Sequence, residues 1–341
     1  MKPGVVWALT ILGMVAALTL TLAVLSPHPL ESMRLLAAGA FGDKFGITRT
    51  LVKWIPLVLA GLGVVVAWRA GMYNIGGEGQ FVVGGIAAAF VARPLLDTGL
   101  GWIGLAPILL GAATLGGALW GWLAGWLYVR RGVEVVISTI LLNFVAIQVL
   151  AYLVSGPLME KAGKLPQTDR LSNLQALPKF DPQTDLHVGI VVALLAAFGV
   201  YLLLFGTKAG YAMRLAGANA QAARANGINA KRAQMGSISI SGALCGLAGG
   251  IEYIGVTQQL GQSFPQNWGF LAIPVALLAG LHPIGVLLSA LYFAAILAGS
   301  RNLSGFTADG TVLIYVVQAV AVLVFLALRV GLARRRVVEE S

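Results

Sequence analysis

Ten stretches of this 341-residue sequence are apolar over most of the length needed to cross a lipid bilayer. A hydrocarbon core about 30 Å thick takes roughly 20 residues of helix. The stretches lie near residues 5–25, 55–69, 72–92, 102–128, 133–155, 187–205, 234–256, 269–281, 284–299 and 311–329. The period-two alternation of a membrane β-barrel is missing. The expected fold is an all-α, polytopic transmembrane helical bundle with about ten membrane segments, some short or broken, and residues 1–341 as one transmembrane domain. Composition agrees: 58% of residues are hydrophobic and 11% charged, against about 25% charged in soluble chains. A soluble domain cannot hide that much apolar surface. Cys245 stands alone, so no disulfide scaffold is encoded. The first stretch is too long for a signal-peptide core and lacks a small-x-small cleavage site after it, so it reads as a retained helix.

The formal net charge of +10 would suggest nucleic acid in a soluble protein. In a membrane chain, lysine and arginine collect in cytoplasmic loops instead, and no basic helix stands free of the apolar segments to enter a groove. With the N-terminus inside, 13 of the 23 basic residues are cytoplasmic, including the concentrated runs at 206–233 and 329–336. The rest fall mainly in two longer outer loops, 26–54 and 156–186, mixed with acids. Ten helices return the C-terminus to the cytoplasm with the N-terminus. Between 269 and 299 the two short stretches flank His282-Pro283, which reads either as two incomplete crossings or as one kinked helical hairpin near the cytoplasmic face.

Familiar chemistry is missing. No Gly-x-x-x-x-Gly-Lys-Ser/Thr loop cradles phosphates. His28, His187 and His282 lie far apart and no metal-ligand spacing is present. No Gly-x-Ser-x-Gly elbow occurs. The chain is not expected to be an enzyme or to hold a metal or cofactor.

Two glycine series, Gly117, Gly121, Gly125 and Gly242, Gly246, Gly250, put a smooth stripe on one face of each of two helices, so another backbone can come close. Polar groups in apolar spans are costly and face the bundle interior or a water-filled path. The run Gly71 to Gln80 carries four glycines, which weaken a helix, beside Asn74, Glu78 and Gln80. It reads as a broken helix lining a substrate pathway, or with Glu78 paired to Arg69 or to a backbone turn. Asn143 either bonds another helix or faces substrate. Glu134 is placed to pair with a nearby arginine, and Glu252 is expected near the outer surface, where water could reach it.

The basic loop 206–233 encodes a short projecting helix. Asn219 is a good N-cap, Ala222 and Ala223 give a small-residue face, and Gly227 sits where a left-handed residue is wanted before Ile228. So short a helix does not hold alone, and a partner protein is the natural support.

These motifs together resemble a known family. The runs Gly71–Gln80, Glu134–Asn143, Gly217–Gly227 and Leu278–Val286 look like those of ABC-importer inner-membrane permeases of the branched-chain amino acid and simple sugar superfamily, in its nucleoside-uptake subgroup. The likeness covers about residues 40–330. It implies a permease subunit in a bacterial plasma membrane, paired with a second homologous permease. It also implies an ATP-binding-cassette ATPase docked on the 206–233 loop, with ATP-Mg held there, and an extracellular binding protein delivering a nucleoside or sugar. Under this reading Asn74, Glu78, Gln80 and Asn143 border the pathway, and Gly217, Asn219, Ala222, Ala223, Gly227 and Ile228 form the coupling loop. The alternative is an ion-coupled secondary transporter of a small polar solute, with Glu78 as proton carrier; a structural membrane scaffold stands third.

Overall fold

A computed structural model of the chain describes residues 28–303 and a few isolated positions on either side. The expected spans at 5–25 and 311–329 lie outside the described residues. The helices are α1 (Pro29–Phe41), α2 (Lys44–Arg69), α3 (Gly77–Ala92), α4 (Trp102–Arg131), α5 (Val135–Val154), α6 (Gly189–Gly206), α7 (Lys208–Ala218), α8 (Ala220–Ala225), α9 (Ala230–Glu252), α10 (Trp268–Leu278) and α11 (Pro283–Gly299). The described residues contain no strand, only isolated bridges at Gln167–Gly261 and Lys179–His187. Seven helices are long and apolar enough to cross a membrane: α2, α3, α4, α5, α6, α9 and α11, counting the single turns that extend α3, α9 and α11.

The chain forms two compact units. One is Trp54–Ala290; the other comprises the described residues before and after it. In the second unit the sequence reading of 26–54 as a loop is corrected. Pro29 opens α1 with its fixed backbone angle, and Glu31 in the first turn meets the positive end of the helix. Ser32, Leu36, Gly39 and Ala40 form the buried face of α1. Charged residues such as Arg34, Lys44 and Arg49 broke the apolar window without breaking the helices.

In the larger unit, α9 lies between α3 and α4 at backbone contact. The two glycine stripes face each other: a methyl on Gly117 would overlap the Gly242 carbonyl, and one on Gly242 would overlap that of Gly117. Gly121 meets Ile238, Gly125 the Ile238 side chain, and Gly246 and Gly250 meet Ala113. On the other side of α9, Gly84 reaches Gly246 and Gly249 reaches the Phe81 carbonyl. Close approach multiplies dispersion contacts where lipid supplies no hydrophobic drive.

Residues 156–188 close over one end of α9. Leu171 and Leu177 donate backbone N–H groups to Gln258 and Ile254, and His187 packs on Gly255. Burial, with the Lys179 charge nearby, pushes His187 down to about 4, so the imidazole is neutral. The expectation for Glu252 is also corrected: it is buried, at 4% exposure.

Candidate functional site

Helix α2 ends at Arg69, and Gly71 follows with φ +76, a conformation that side chains disfavour. The chain then runs without helix until α3 begins at Gly77. Its freed polar groups find partners in an internal network. Asn74 donates to Gln80 Oε1 and to Ser241 Oγ, both at 2.9 Å, and its Oδ1 accepts from the Gly76 N–H at 2.8 Å. Asn143 on α5 accepts from the Gly79 N–H at 2.7 Å and donates to the Ile75 carbonyl at 3.0 Å. Thr139 accepts from the Ile75 N–H at 3.3 Å, and Trp68 donates to the Asn74 carbonyl at 3.2 Å. Asn74, Gln80, Thr139, Asn143 and Ser241 are all buried. Asn74, Thr139, Asn143 and Trp68 therefore replace helical hydrogen bonds the broken backbone has lost, while Gln80 and Ser241 hold the Asn74 side chain.

A second interruption meets the first. After α9 closes in a π-helical turn, Tyr253–Thr257, residues 258–267 run mostly without helix and Phe264 stacks against Phe81. Helix α10 then starts at Trp268. Its first turn is held by Glu78: Oε1 accepts from the Asn267 N–H at 2.9 Å and Oε2 from the Gly269 N–H at 2.7 Å. A carboxylate at a helix N-terminus satisfies orphan donors and complements the dipole. Glu78 is fully buried, and Gly269 lets the two segments touch, since a methyl there would overlap the Glu78 backbone. Of the two partners expected for Glu78, Arg69 or a backbone turn, the structure gives the backbone, and Arg69 Nε donates instead to the Leu281 carbonyl at 2.9 Å. The 269–299 region resolves as the short helix α10, about 16 Å long at 1.5 Å per residue, a turn at Gly280 and Leu281 with positive φ, and the longer α11. Helix α10 is too short to cross on its own.

The four polar residues singled out from sequence thus lie around one place where two interrupted helices meet. The sequence reading missed Ser241, Asn267 and Gly269. The polar run Gln258-Gln259, followed by Gly261, Pro265 and Asn267 just before Trp268, was the available signal for the second break.

The basic loop folds into two small helices. Thr207 caps α7 and Asn219 caps α8, its Oδ1 accepting from Gln221 and Ala222 at 2.9 and 3.0 Å. Helix α8 closes on Gly227, with φ +73, and the Ile228 N–H bonds the Ala223 carbonyl at 2.9 Å. Ala223 is corrected from an outward to an inward residue: it is fully buried, packed with Ala216 and Ala230 beside Leu215 and Ile228. Helix α8 exposes Gln221, Arg224 and Ala225 instead, followed by the exposed Asn226, with Ala222 at the edge. Gly217 joins this loop to the bundle, since a methyl there would overlap the Arg69 carbonyl and press on Ala70 and Gly71. The loop thus touches the chain just before the first interruption. Glu134 is exposed and forms no ion pair among the described residues, because water solvates it better than a surface pairing would.

A model of the family described as "Branched-chain amino acid transport system / permease component" matches residues 46–328. The chain belongs to this family. The permease is 30% identical to the glucose ABC transporter permease protein TsgB13 of Haloferax volcanii, over 95% of this chain and 89% of that protein. It is 35% identical to the guanosine ABC transporter permease protein NupP of Bacillus subtilis, over 78% of this chain and 76% of the relative. A second guanosine ABC transporter permease protein of that organism, NupQ, is 27% identical, over 72% and 79%. No solved structure matches the permease significantly. This chain is therefore a permease subunit of an ABC importer and a multi-pass integral membrane protein.

Proposed function

We propose that this permease carries nucleosides, paired with a second homologous permease, driven by a cytoplasmic ABC ATPase that holds ATP-Mg, and loaded by an extracellular binding protein. The guanosine permeases NupP and NupQ support the nucleoside assignment, and their occurrence as two such proteins in one organism supports pairing of unlike subunits. TsgB13 makes a sugar the competing cargo. The basic loop faces the cytoplasm in this reading, together with both termini.

One observation carries the mechanism: the α7–α8 loop rests through Gly217 on the turn that leads into the unwound segment. An ATPase seated on α8 would move α7, and α7 would move residues 69–76. Asn74, Gln80 and Asn143 fix that segment to α5 and α9, while Glu78 ties it to α10. These side chains position the backbone bordering the pathway, and displacement of the two interrupted helices switches the side to which it opens. Within the coupling loop, Asn219 and Gly227 shape α8, Ala223 and Ile228 seat it, and Ala222 edges the docking face.

The test is uptake by the assembled transporter, reconstituted with ATP inside and binding protein outside, with labelled guanosine, glucose and leucine compared. Guanosine should accumulate at least tenfold faster than the others. Preferential glucose or leucine accumulation would overturn the nucleoside assignment.

A further inference from the structure

Helices α4, α5 and α6 of the larger unit turn long apolar faces outward, and one of these faces carries a group that lipid does not hold. Helix α4 exposes Ile108, Leu115 and Leu119, and α6 exposes Leu194, Leu195 and Phe198. Neither helix bears an exposed amide or charge before Arg131, the last residue of α4. Hydrocarbon suits both. Helix α5 differs. Its exposed face runs through Leu141, Phe144, Gln148 and Tyr152, three or four residues apart and so in one row. Gln148 lies six residues from the end of α5 at Val154, about 9 Å at 1.5 Å per residue. Its short side chain does not span that distance to the headgroups. It forms no hydrogen bond among the described residues.

An amide has two donors and an acceptor oxygen, and leaving them unmet in hydrocarbon is costly. Such a group faces protein or a water-filled path. The other side of α5 is already taken: Thr139 and Asn143 hold the unwound segment there. Gln148 follows Asn143 by five residues and so points away from that network, about 140° round the helix. The residues beside Gln148 indicate what it meets. Where α4 and α9 pack on each other they do so through glycines, which let backbones close. Phe144 and Tyr152 are instead 62% and 70% exposed and would hold another helix off. Two rings, about one turn to either side of a donor–acceptor pair, fit a flat solute with a polar edge. Aromatic side chains stack on any nucleobase, and a glutamine amide pairs with a base edge through its donor and acceptor together.

We propose that Phe144, Gln148 and Tyr152 line the solute path on α5, Gln148 hydrogen-bonding the edge of a nucleobase in transit and the two rings stacking on it. This rests on the nucleoside reading above and names the groups that would recognise the base. Helix α5 then carries the solute contact on one side and the hold on the unwound segment on the other.

The test uses the assembled transporter in liposomes, with binding protein outside and ATP inside. Lipid would favour Gln148→Leu, so a lipid-facing position gives full uptake in that variant. On the path, its guanosine uptake should fall about tenfold, the scale of one net hydrogen bond, with protein present in normal amount. Gln148→Asn keeps an amide and should recover part of the loss. Labelling supplies a readout other than uptake. Gln148→Cys should react with a membrane-impermeant thiol reagent, and guanosine on its binding protein should slow that reaction where glucose does not. Leu195→Cys, on the apolar face of α6, should stay unlabelled, as should the buried native Cys245. Full uptake by Gln148→Leu would overturn the site. So would an unreactive Gln148→Cys, the result if lipid, the second permease or another segment of this chain covers the face, and so would labelling that guanosine leaves unchanged. Wild-type uptake separates these failures from a failure of the cargo. Normal guanosine uptake beside any of them refutes this site alone, whereas glucose uptake in place of guanosine, with glucose protecting Gln148→Cys, refutes the nucleobase contact and the cargo together. If Gln148→Cys fails to assemble, Tyr152→Cys is labelled in its stead, with the same outcomes.

Discussion

Replacing Glu78 with leucine is expected to remove most of the folded permease from the membrane, rather than leave an assembled but silent transporter. The carboxylate is the acceptor for two backbone N–H groups at the start of α10, at 2.9 and 2.7 Å, in a place without exposure. Leucine leaves both donors unpaired. Each buried unsatisfied donor costs about 1–3 kcal/mol, and the lost carboxylate also gave up its interaction with the helix N-terminus. A loss of about 3–6 kcal/mol is a large part of the 5–15 kcal/mol that holds a typical domain. Glu78→Gln keeps one acceptor oxygen and should recover part of the protein. Size-exclusion profiles of detergent-extracted protein measure this directly. Normal amounts of well-behaved Glu78→Leu protein with transport abolished would assign Glu78 to the pathway instead.

Gly246→Val should be as damaging for a different reason. Gly246 is enclosed on two sides: a side chain there would overlap the Ala113 carbonyl on α4, and Gly84 of α3 already lies against its own carbonyl. No rotamer avoids a clash with backbone, so α9 must move away from α4 along the whole stripe. Ordinary overpacking costs about 1–3 kcal/mol; forcing two helices apart lies at or above the top of that range. The melting temperature should fall by about 10 °C or more. Gly199→Val supplies the control, since a methyl at that position on α6 meets nothing within 4 Å, and it should melt like wild type. Similar melting of the two variants would show that the glycine stripe does not hold the bundle.

Long apolar runs are legible in sequence because bilayer thickness sets their length, and the helices from α3 to α6 follow them closely. Helix α1 and the start of α2 were not, because Glu31, Arg34, Lys44, Arg49 and Lys53 lower the hydropathy of a segment that is nonetheless helical. The break at 71–76 was visible through its glycines. The matching break at 258–267 had a local signal in Gln258-Gln259, Gly261, Pro265 and Asn267, but its partner, Glu78, is about 190 residues away, and no local pattern reports so distant a contact. The same limit applies to the burial of Glu252. On α8, six residues are too few for a period to define a face. Ala222 and Ala223 looked equivalent, yet Ala223 points into the cluster with Ala216 and Ala230.

The central claim is that this chain opens and closes a path by following an ATPase docked on its basic loop, not an ion gradient. The direct measurement is solute accumulation in liposomes holding either the permease alone or the full complex with binding protein. Accumulation is expected only in the complex, only with ATP inside, and unchanged when proton and sodium gradients are collapsed. Uptake by the permease alone under a proton or sodium gradient would contradict it.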